Sequence, residues 1–367
     1  MNHPFILLGA GVDAVPIIQI IKAMGHRVLV VDADKQALGL TFADDHRVAS
    51  CYDAKETLEA LFGLRPIGVL CAGVDAPGVQ QAVANTFRLI GPAGAAYACR
   101  NKVVMHNRLA TAGIRVSPMT TDMNNAALVA NRDGWVVVKP IDSRGARGVF
   151  RVQVRDAHDF WQAAAAFSAS HIGVMAQQWV DGQQLSTESL VQGGKVLWTS
   201  IAERNYARLE EFAPHVIEDG SDIPWLPMFD SNGLWPEAQV DDTLQQCVDA
   251  IGLVNGTLKG DLVWSGVVHV IEVAPRLSGG GFCSVLTPAA WGVPFVELAA
   301  KIAMGEYVDV GIRQLKQHVC QRFTFPTRPT NHPTRGSWVA GYGINREAAR
   351  SAATQALFWR DAYDRVR

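Results

Sequence analysis

Lys139 closes a β-branched run, WVVVKP (135–140), and Ser143-Arg144-Gly145-Ala146-Arg147-Gly148 follow within a few residues. A cation at a strand end beside a glycine-rich turn suits phosphate oxygens, because the N–H groups of such a turn can fold over them. Small residues are needed there so that the backbone itself can approach. Taken alone, the same string also fits an ordinary hairpin with a solvated lysine. Asp261 and Glu272 lie on consecutive strand-like segments joined by a turn near Ser265-Gly266, which can set two carboxylates side by side. Such a pair is costly without a cation, and hard oxygen ligands suit Mg²⁺. The plainer alternative is two solvent-facing acids on a hairpin. Four residues beyond Glu272 stands Arg276, then Leu277-Ser278-Gly279-Gly280-Gly281. A guanidinium beside exposed backbone donors suits a phosphorylated group or a carboxylate.

A second glycine turn, Gly9-Ala10-Gly11-Val12-Asp13-Ala14, follows the first apolar run, and Asp32 ends the next one. This imitates a dinucleotide fingerprint, in which a helix N-terminus takes a pyrophosphate and the acid a ribose. It equally fits a tight β-α turn that only closes a sheet. The string G-x-x-x-x-G-K-[ST] is absent, so any nucleotide site uses another design. There is no convincing Ser-His-Asp or Cys-His constellation. The six cysteines, Cys51, Cys71, Cys99, Cys247, Cys283 and Cys320, form no C-x-x-C pair and have no histidine at zinc-site spacing. Reduced thiols in a cytoplasm are expected.

The elements that must position these groups fall into two styles. Residues 5–12, 14–24 and 28–34 read as strand, helix and strand, followed by a helix at 53–63, a strand at 67–75, a helix at 76–87 and a short strand near Leu89. This is an open parallel α/β sheet. A helix from about 99 to 112 then leads into hairpins: 135–140 with 149–154, 174–182, 185–203, and 256–276 after a helix at 238–252. Connections of a few residues imply antiparallel neighbours, so the middle of the chain is α+β. Residues 291–303 read as one amphipathic helix, 305–330 as a connector, and 339–359 as strand, turn and helix.

At 367 residues the chain is long enough for two to three domains at about 150 residues each. Its 33 Lys and Arg against 35 Asp and Glu give a net charge of −2, with no run of like charge of the kind that binds nucleic acid. Charges, Gly or Pro interrupt every apolar run short of the ~18 residues of a membrane span. The N-terminal run lacks a basic n-region and a cleavage site, so it is expected to stay as a strand.

The order and separation of VVVKP-x-DSRGARG, QQWVDG and IEVAPRLSGG resemble the ATP-grasp superfamily, in particular its carboxylate–amine ligases. LLGAG, GHRVLVVDAD, ADDHRVAS and NKVVMHNRLATAGIRVSP resemble the pre-ATP-grasp domain and its junction, and GYGINREAARSAATQAL a short version of the C-terminal segment of biotin-carboxylase-like members. The resemblance implies a pre-ATP-grasp domain at 1–98, an ATP-grasp domain at 99–312 with a lid at about 115–182, and a small C-terminal segment at 313–367. It implies ATP and Mg²⁺ (or Mn²⁺) as cofactors. Lys102 would contact the α-phosphate and Lys139 the α/β-phosphates, and the Ser143–Gly148 turn, with Arg144, Gly145, Ala146 and Gly148, would close over the triphosphate. Gln177, Gln178, Trp179 and Val180 would read the adenine edge, with Gln184 near the ribose. Asp261 and Glu272 would hold Mg²⁺, Arg276 would stabilise an acyl phosphate, and Ser278, Gly279 and Gly280 would donate to a substrate carboxylate. Arg208 and His215 fall in a segment, 203–218, that faces substrate in the family. Gln177 and Gln184 stand where Glu is common, Asp261 where Glu is usual, and Ala274 where Asn often completes a second metal site.

The implied activity is activation of a small carboxylate as an acyl phosphate, with release of ADP and phosphate, and coupling to an amine such as an amino acid or peptide-like substrate. Three alternatives stand beside it. A carboxylase-type member would use bicarbonate and a purine-pathway nitrogen, although the LSGGG string lacks the histidine expected there. An NAD-dependent oxidoreductase would use Gly9, Gly11 and Asp32, leaving residues 100–330 unexplained. A non-catalytic nucleotide-binding protein would account for the departures. Small-molecule substrates, no nucleic acid, no membrane and, by analogy, a homodimer complete the expectation.

Overall fold

The computed structural model describes residues 3–143, 145–168, 172–226, 236–325 and 336–366. Four short strands, β1 (Phe5–Leu8), β2 (Val28–Asp32), the polar edge strand β3 (Asp45–Val48) and β4 (Gly68–Cys71), form a parallel sheet in the order β3-β2-β1-β4. Strands with no polar side, such as FILL and GVLC, belong in a sheet covered on both faces. Helix α1 (Ala14–Ala23) buries Ile17, Ile18 and Ile21 on one face, while α2 (Ala54–Ala60) and α3 (Pro77–Phe87) pack together with Leu61, Val79 and Val83 on the other. The strand expected near Leu89 does not form: Arg88 takes a left-handed conformation (φ 57°) that ends α3.

The helix expected over 99–112 is interrupted. Helix α4 (Gly94–Ala98) stops at Cys99, and α5 (Lys102–Thr111) starts afresh because the Asn101 side chain accepts from the N–H groups of Val103 and Val104. Such a cap satisfies donors that a helix start leaves open. Next comes a small antiparallel sheet in the order β5-β8-β6-β7, built from β5 (Met119–Thr120), β6 (Trp135–Pro140), β7 (Phe150–Gln153) and β8 (Val174–Gln178), with α6 (Ala157–Ala165) on one face.

The largest sheet is antiparallel throughout and has seven strands, in the order β13-β12-β9-β10-β11-β14-β15. They are β9 (Gln183–Gln192), β10 (Lys195–Asn205), β11 (Gly220–Ile223), β12 (Gly256–Trp264), β13 (Val268–Ala274), β14 (His318–Phe323) and β15 (Trp338–Gly343). Helix α7 (Pro236–Ile251) and α5 cover one face around Leu244, Val248 and Leu262. Residues 291–303 are two helices, not one. Helix α8 (Thr287–Trp291) ends on Gly292 at φ 73°, and α9 (Phe295–Ala303) begins after Pro294. Helix α9 is shared: it packs on α1 and β4 of the first sheet and on β9 and β12 of the large one.

Strand β14 lies inside the stretch expected to be a connector, and β11 begins two residues past the 203–218 segment. Helix α10 (Arg346–Val366) lies on β14 and β15 through Ala349 and Ala353, an approach so close that a side chain at Gly341 would run into the helix backbone. Asp222, almost fully buried, receives Arg350 at 2.5 Å and Arg322 at 3.6 Å, and Glu203 receives Arg346 at 2.8 Å. No helix among the described residues is long and apolar enough to cross a membrane.

Candidate active site

The register of the large sheet gathers its charges. Asp261 of β12 sits opposite Glu272 of β13, and Lys259, two residues away, sits beside Glu188 of β9. Residues two apart share a face, so these side chains form one polar patch on the sheet. Lys139 reaches the patch from the end of β6, where it is buried with Glu272, Lys102 and Asp261 as its charged neighbours. Burial pulls its ammonium down to about 8, against the upward pull of Glu272. Lys102, the first residue of α5, donates from Nζ to the Ser143 carbonyl at 2.6 Å and lies 3.5 Å from Glu272 Oε1.

Asp261 is held by two cations: Arg204 Nη1 contacts Oδ1 at 3.0 Å and Lys259 Nζ pairs with Oδ2. Burial opposes its charge, but Lys259 and Arg204 keep the carboxyl well below the usual carboxylate range. Arg204 is itself paired with Glu218. Mg²⁺ takes one or two carboxylates and fills its shell with water and phosphate oxygens. Glu272 and Asp261 face each other on neighbouring strands, but both oxygens of Asp261 are engaged by Arg204 and Lys259, so an ion shared by the two carboxylates would have to displace one of those cations. Among the described residues no cluster of three or more His, Cys, Asp or Glu suits a metal held by protein alone.

Arg276 follows β13 and turns back to the first sheet, with Nε 3.5 Å from Asp75 Oδ1 and Nη1 donating to the Leu277 carbonyl. Burial opposes its charge, yet Asp75, Glu272 and Asp261 raise its pKa further. Leu277 bridges to Ala72 beyond β4. Ser278 does not keep its donors for a ligand. Its N–H lies 3.2 and 3.3 Å from the two oxygens of Glu188, and its Oγ also donates to that carboxylate. Gly279 and Gly280 follow Ser278 in the same loop, and their carbonyls accept from Phe282 N–H and Gln321 Nε2.

The turn after Lys139 runs left-handed at Gly145, Ala146 and Gly148, and a side chain at Gly148 would collide with Phe167. Arg144 lies outside the described residues. Gln177 is buried in β8 with Nε2 3.5 Å from the Ser117 carbonyl. Gln178 is tied down at its backbone by Ser117 Oγ (2.7 Å) and the Pro118 carbonyl (2.8 Å). Trp179 donates from Nε1 to Asp181, and Gln184 of β9 donates to the Val180 carbonyl at 3.3 Å.

Arg208 pairs with Glu211 and stacks over Phe212 and Phe325, and His215 packs on Phe150 of β7. The segment pairs with β7 through Arg151 N–H to Pro214 and Val216 N–H to Val149. Asp32 uses its carboxylate to close the first glycine turn, accepting from the N–H groups of Ala10 (2.7 Å) and Asp34 (2.9 Å). A side chain at Gly9 would meet the Ala72 carbonyl at 2.6 Å, so this turn is packed from beneath.

Residues 99–280 match the ATP-grasp domain, and with the flanking sheets the chain has the ATP-grasp carboxylate–amine ligase fold. It is similar to an uncharacterized protein of Sinorhizobium fredii, 28% identical over 300 residues, 79% of this chain and 57% of that protein. The chain thus spans little more than half of that relative's length. In fold it is similar to carboxyaminoimidazole ribonucleotide synthase from Aspergillus clavatus (TM-score 0.77, 14% identity, 100% of both chains). It is likewise similar to the L-amino acid ligase from Bacillus licheniformis (TM-score 0.75, 17% identity, 99% of this chain and 98% of that one).

Proposed function

We propose that the protein is an ATP-dependent ligase that activates a small carboxylate as an acyl phosphate and couples it to an amine, with an amino acid or peptide-like compound as substrate. The observation that carries this reading is the convergence of Lys102, Lys139, Glu272, Asp261 and Arg276 at one patch, drawn from α5, β6, β12, β13 and the loop beyond. A carboxylate is a poor electrophile at neutral pH, and phosphorylation gives it a leaving group. Lys102 from α5 and Lys139 from the end of β6 would neutralise the nucleotide's phosphates, and the Ser143–Gly148 turn would cover them. Mg²⁺, when bound by Glu272 with Asp261, supplies charge neutralisation between phosphate oxygens. Arg276 would orient the acid and steady charge on its phosphorylated form, while Gly279 and Gly280 donate to its oxygens. Gln177–Val180 would receive the adenine and Gln184 the ribose.

A carboxylase acting on bicarbonate is a second reading, favoured by full-length fold likeness to carboxyaminoimidazole ribonucleotide synthase. The test is Mg²⁺-dependent ADP and phosphate release from ATP with pools of amino acids, hydroxy acids or bicarbonate, using Glu272→Ala as control. Stimulation by an amino-acid pool, lost in the variant, supports the ligase. Stimulation by bicarbonate alone replaces it with the carboxylase, and ATP binding without turnover in any pool overturns both.

A further inference from the structure

Glu188 sits in β9 with no exposed surface, at the floor of the site, between Lys259 and the loop after Arg276. A buried carboxylate persists only where hydrogen bonds and charges compensate it. Here the compensation comes from Ser278, through both N–H and Oγ, with Arg276 and Lys259 as the nearby positive charges. The contact joins residues 90 positions apart and pins the glycine loop to the sheet. A second anchor lies two residues on, where Gln321 Nε2 of β14 donates to the Gly280 carbonyl at 2.5 Å. Gly279, between the anchors, packs close to Asp13, whose Oδ2 lies 2.7 Å from where a Cβ would stand. A three-glycine stretch otherwise has large conformational freedom to lose on binding.

We propose that Glu188 is the positioning residue of this loop: its carboxylate holds Ser278 so that the N–H groups of Gly279 and Gly280, with Arg276, stay presented to a substrate carboxylate or its phosphorylated form. Donors fixed before binding stabilise charge without reorganisation, which is where an anchor of this kind acts. The consequence for catalysis rests on the ligase reading; the consequence for loop rigidity does not.

The test compares full-length wild type with Glu188→Ala, Glu188→Gln and Ser278→Ala. Hydrogen–deuterium exchange over residues 278–282 is expected to quicken at least tenfold in Glu188→Ala and in Ser278→Ala. Glu188→Gln, which keeps an oxygen acceptor for Ser278, is expected to stay within about threefold of wild type. Affinity for MgADP is expected to stay within twofold throughout. In ADP release driven by a mixture of the twenty L-amino acids, half-saturation by the mixture is expected to rise at least tenfold in Glu188→Ala, with half-saturation by MgATP unmoved. Unchanged exchange in both Glu188→Ala and Ser278→Ala overturns the proposal, as does an equal loss of MgADP affinity. A wild type silent toward the mixture counts against the amino-acid ligase reading and leaves exchange to judge Glu188. Should Glu188→Ala not fold, Ser278→Ala carries the same comparison.

Discussion

Arg276 and Asp75 join the two halves of the fold at the point where the site lies: the guanidinium follows β13 of the large sheet, the carboxylate follows β4 of the first, and 3.5 Å separates Nε from Oδ1. Both side chains are about 15% exposed, so the pair is shielded from solvent. Removing one partner of such a pair leaves an uncompensated charge, which costs about 3–5 kcal/mol when burial is complete. Glu272 and Glu188 also lie near Arg276, so a smaller loss, about 2 kcal/mol, is expected for Asp75→Ala in urea denaturation. A cycle with Arg276→Met and the double variant is expected to give a coupling of about 1 kcal/mol or more. Strict additivity would mean that the two halves are not held together here.

Lys139 gives the nucleotide site a pH dependence. Its ammonium, lowered to about 8 by burial, loses its proton between pH 7 and 9, whereas an ordinary lysine would keep it. ATP affinity measured by calorimetry is therefore expected to weaken as pH rises through this window, approaching about tenfold per pH unit for one proton. Lys139→Arg stays charged, so its affinity is expected to be flat over the same range. A wild-type profile equally flat would show that Lys139 does not meet the phosphates.

Much of this was legible in the sequence, for physical reasons that differ by element. Strands FILL and VLVV announce themselves because both faces are buried, and Lys139, Asp261, Glu272 and Arg276 stand out as charges at the ends of apolar runs or within them. Glu188, Arg204 and Lys259 were missed. Each lies inside a strand whose inner face is polar, and only the register across β9, β10 and β12 brings them to the patch. The acid within LSTESLVQ was the available signal for Glu188. Strand β14 is hidden in the sequence because HVCQRF mixes polar and apolar residues, and the charge of Arg322 is met by Asp222 of β11, a partner far off in sequence. The family resemblance gives Ser278 a ligand role, and in the structure its N–H faces the Glu188 carboxylate, 90 residues away, a contact that no local sequence signal shows.

Arg151 is sandwiched between two indoles, with its guanidinium carbon 3.9 Å from the Trp135 ring and 4.9 Å from that of Trp179. Trp179 belongs to the segment proposed to receive adenine. Shielded cation–π contacts contribute about 1 kcal/mol or more each. Arg151→Ala is therefore expected to weaken ATP binding three- to tenfold and to shift tryptophan emission. Its other partner, Glu210, has a side chain 77% exposed, so that ion pair contributes little. Glu210→Ala is expected to bind ATP within twofold of wild type. Equal losses in the two variants would place the effect on the ion pair instead of the stack.

Burial also pushes Glu188 up to about 7, above the ordinary glutamate value of 4.5, despite the opposing pull of Ser278 and Arg276. A carboxyl whose folded pKa is raised binds its proton more tightly when folded. Its contribution to stability is therefore complete below the unfolded value and is lost as pH rises through the folded one. Across pH 4.5 to 8 this one group is expected to cost the wild type about 3 kcal/mol. Glu188→Gln has no proton to lose, so its thermal stability is expected to overtake that of the wild type between pH 5 and 8, with the gap closing again toward pH 5. The rate of gain locates the titration near 7. A constant offset between the two proteins over that range would mean that Glu188 stays ionised throughout, held by Arg276 and Lys259 more firmly than burial opposes it.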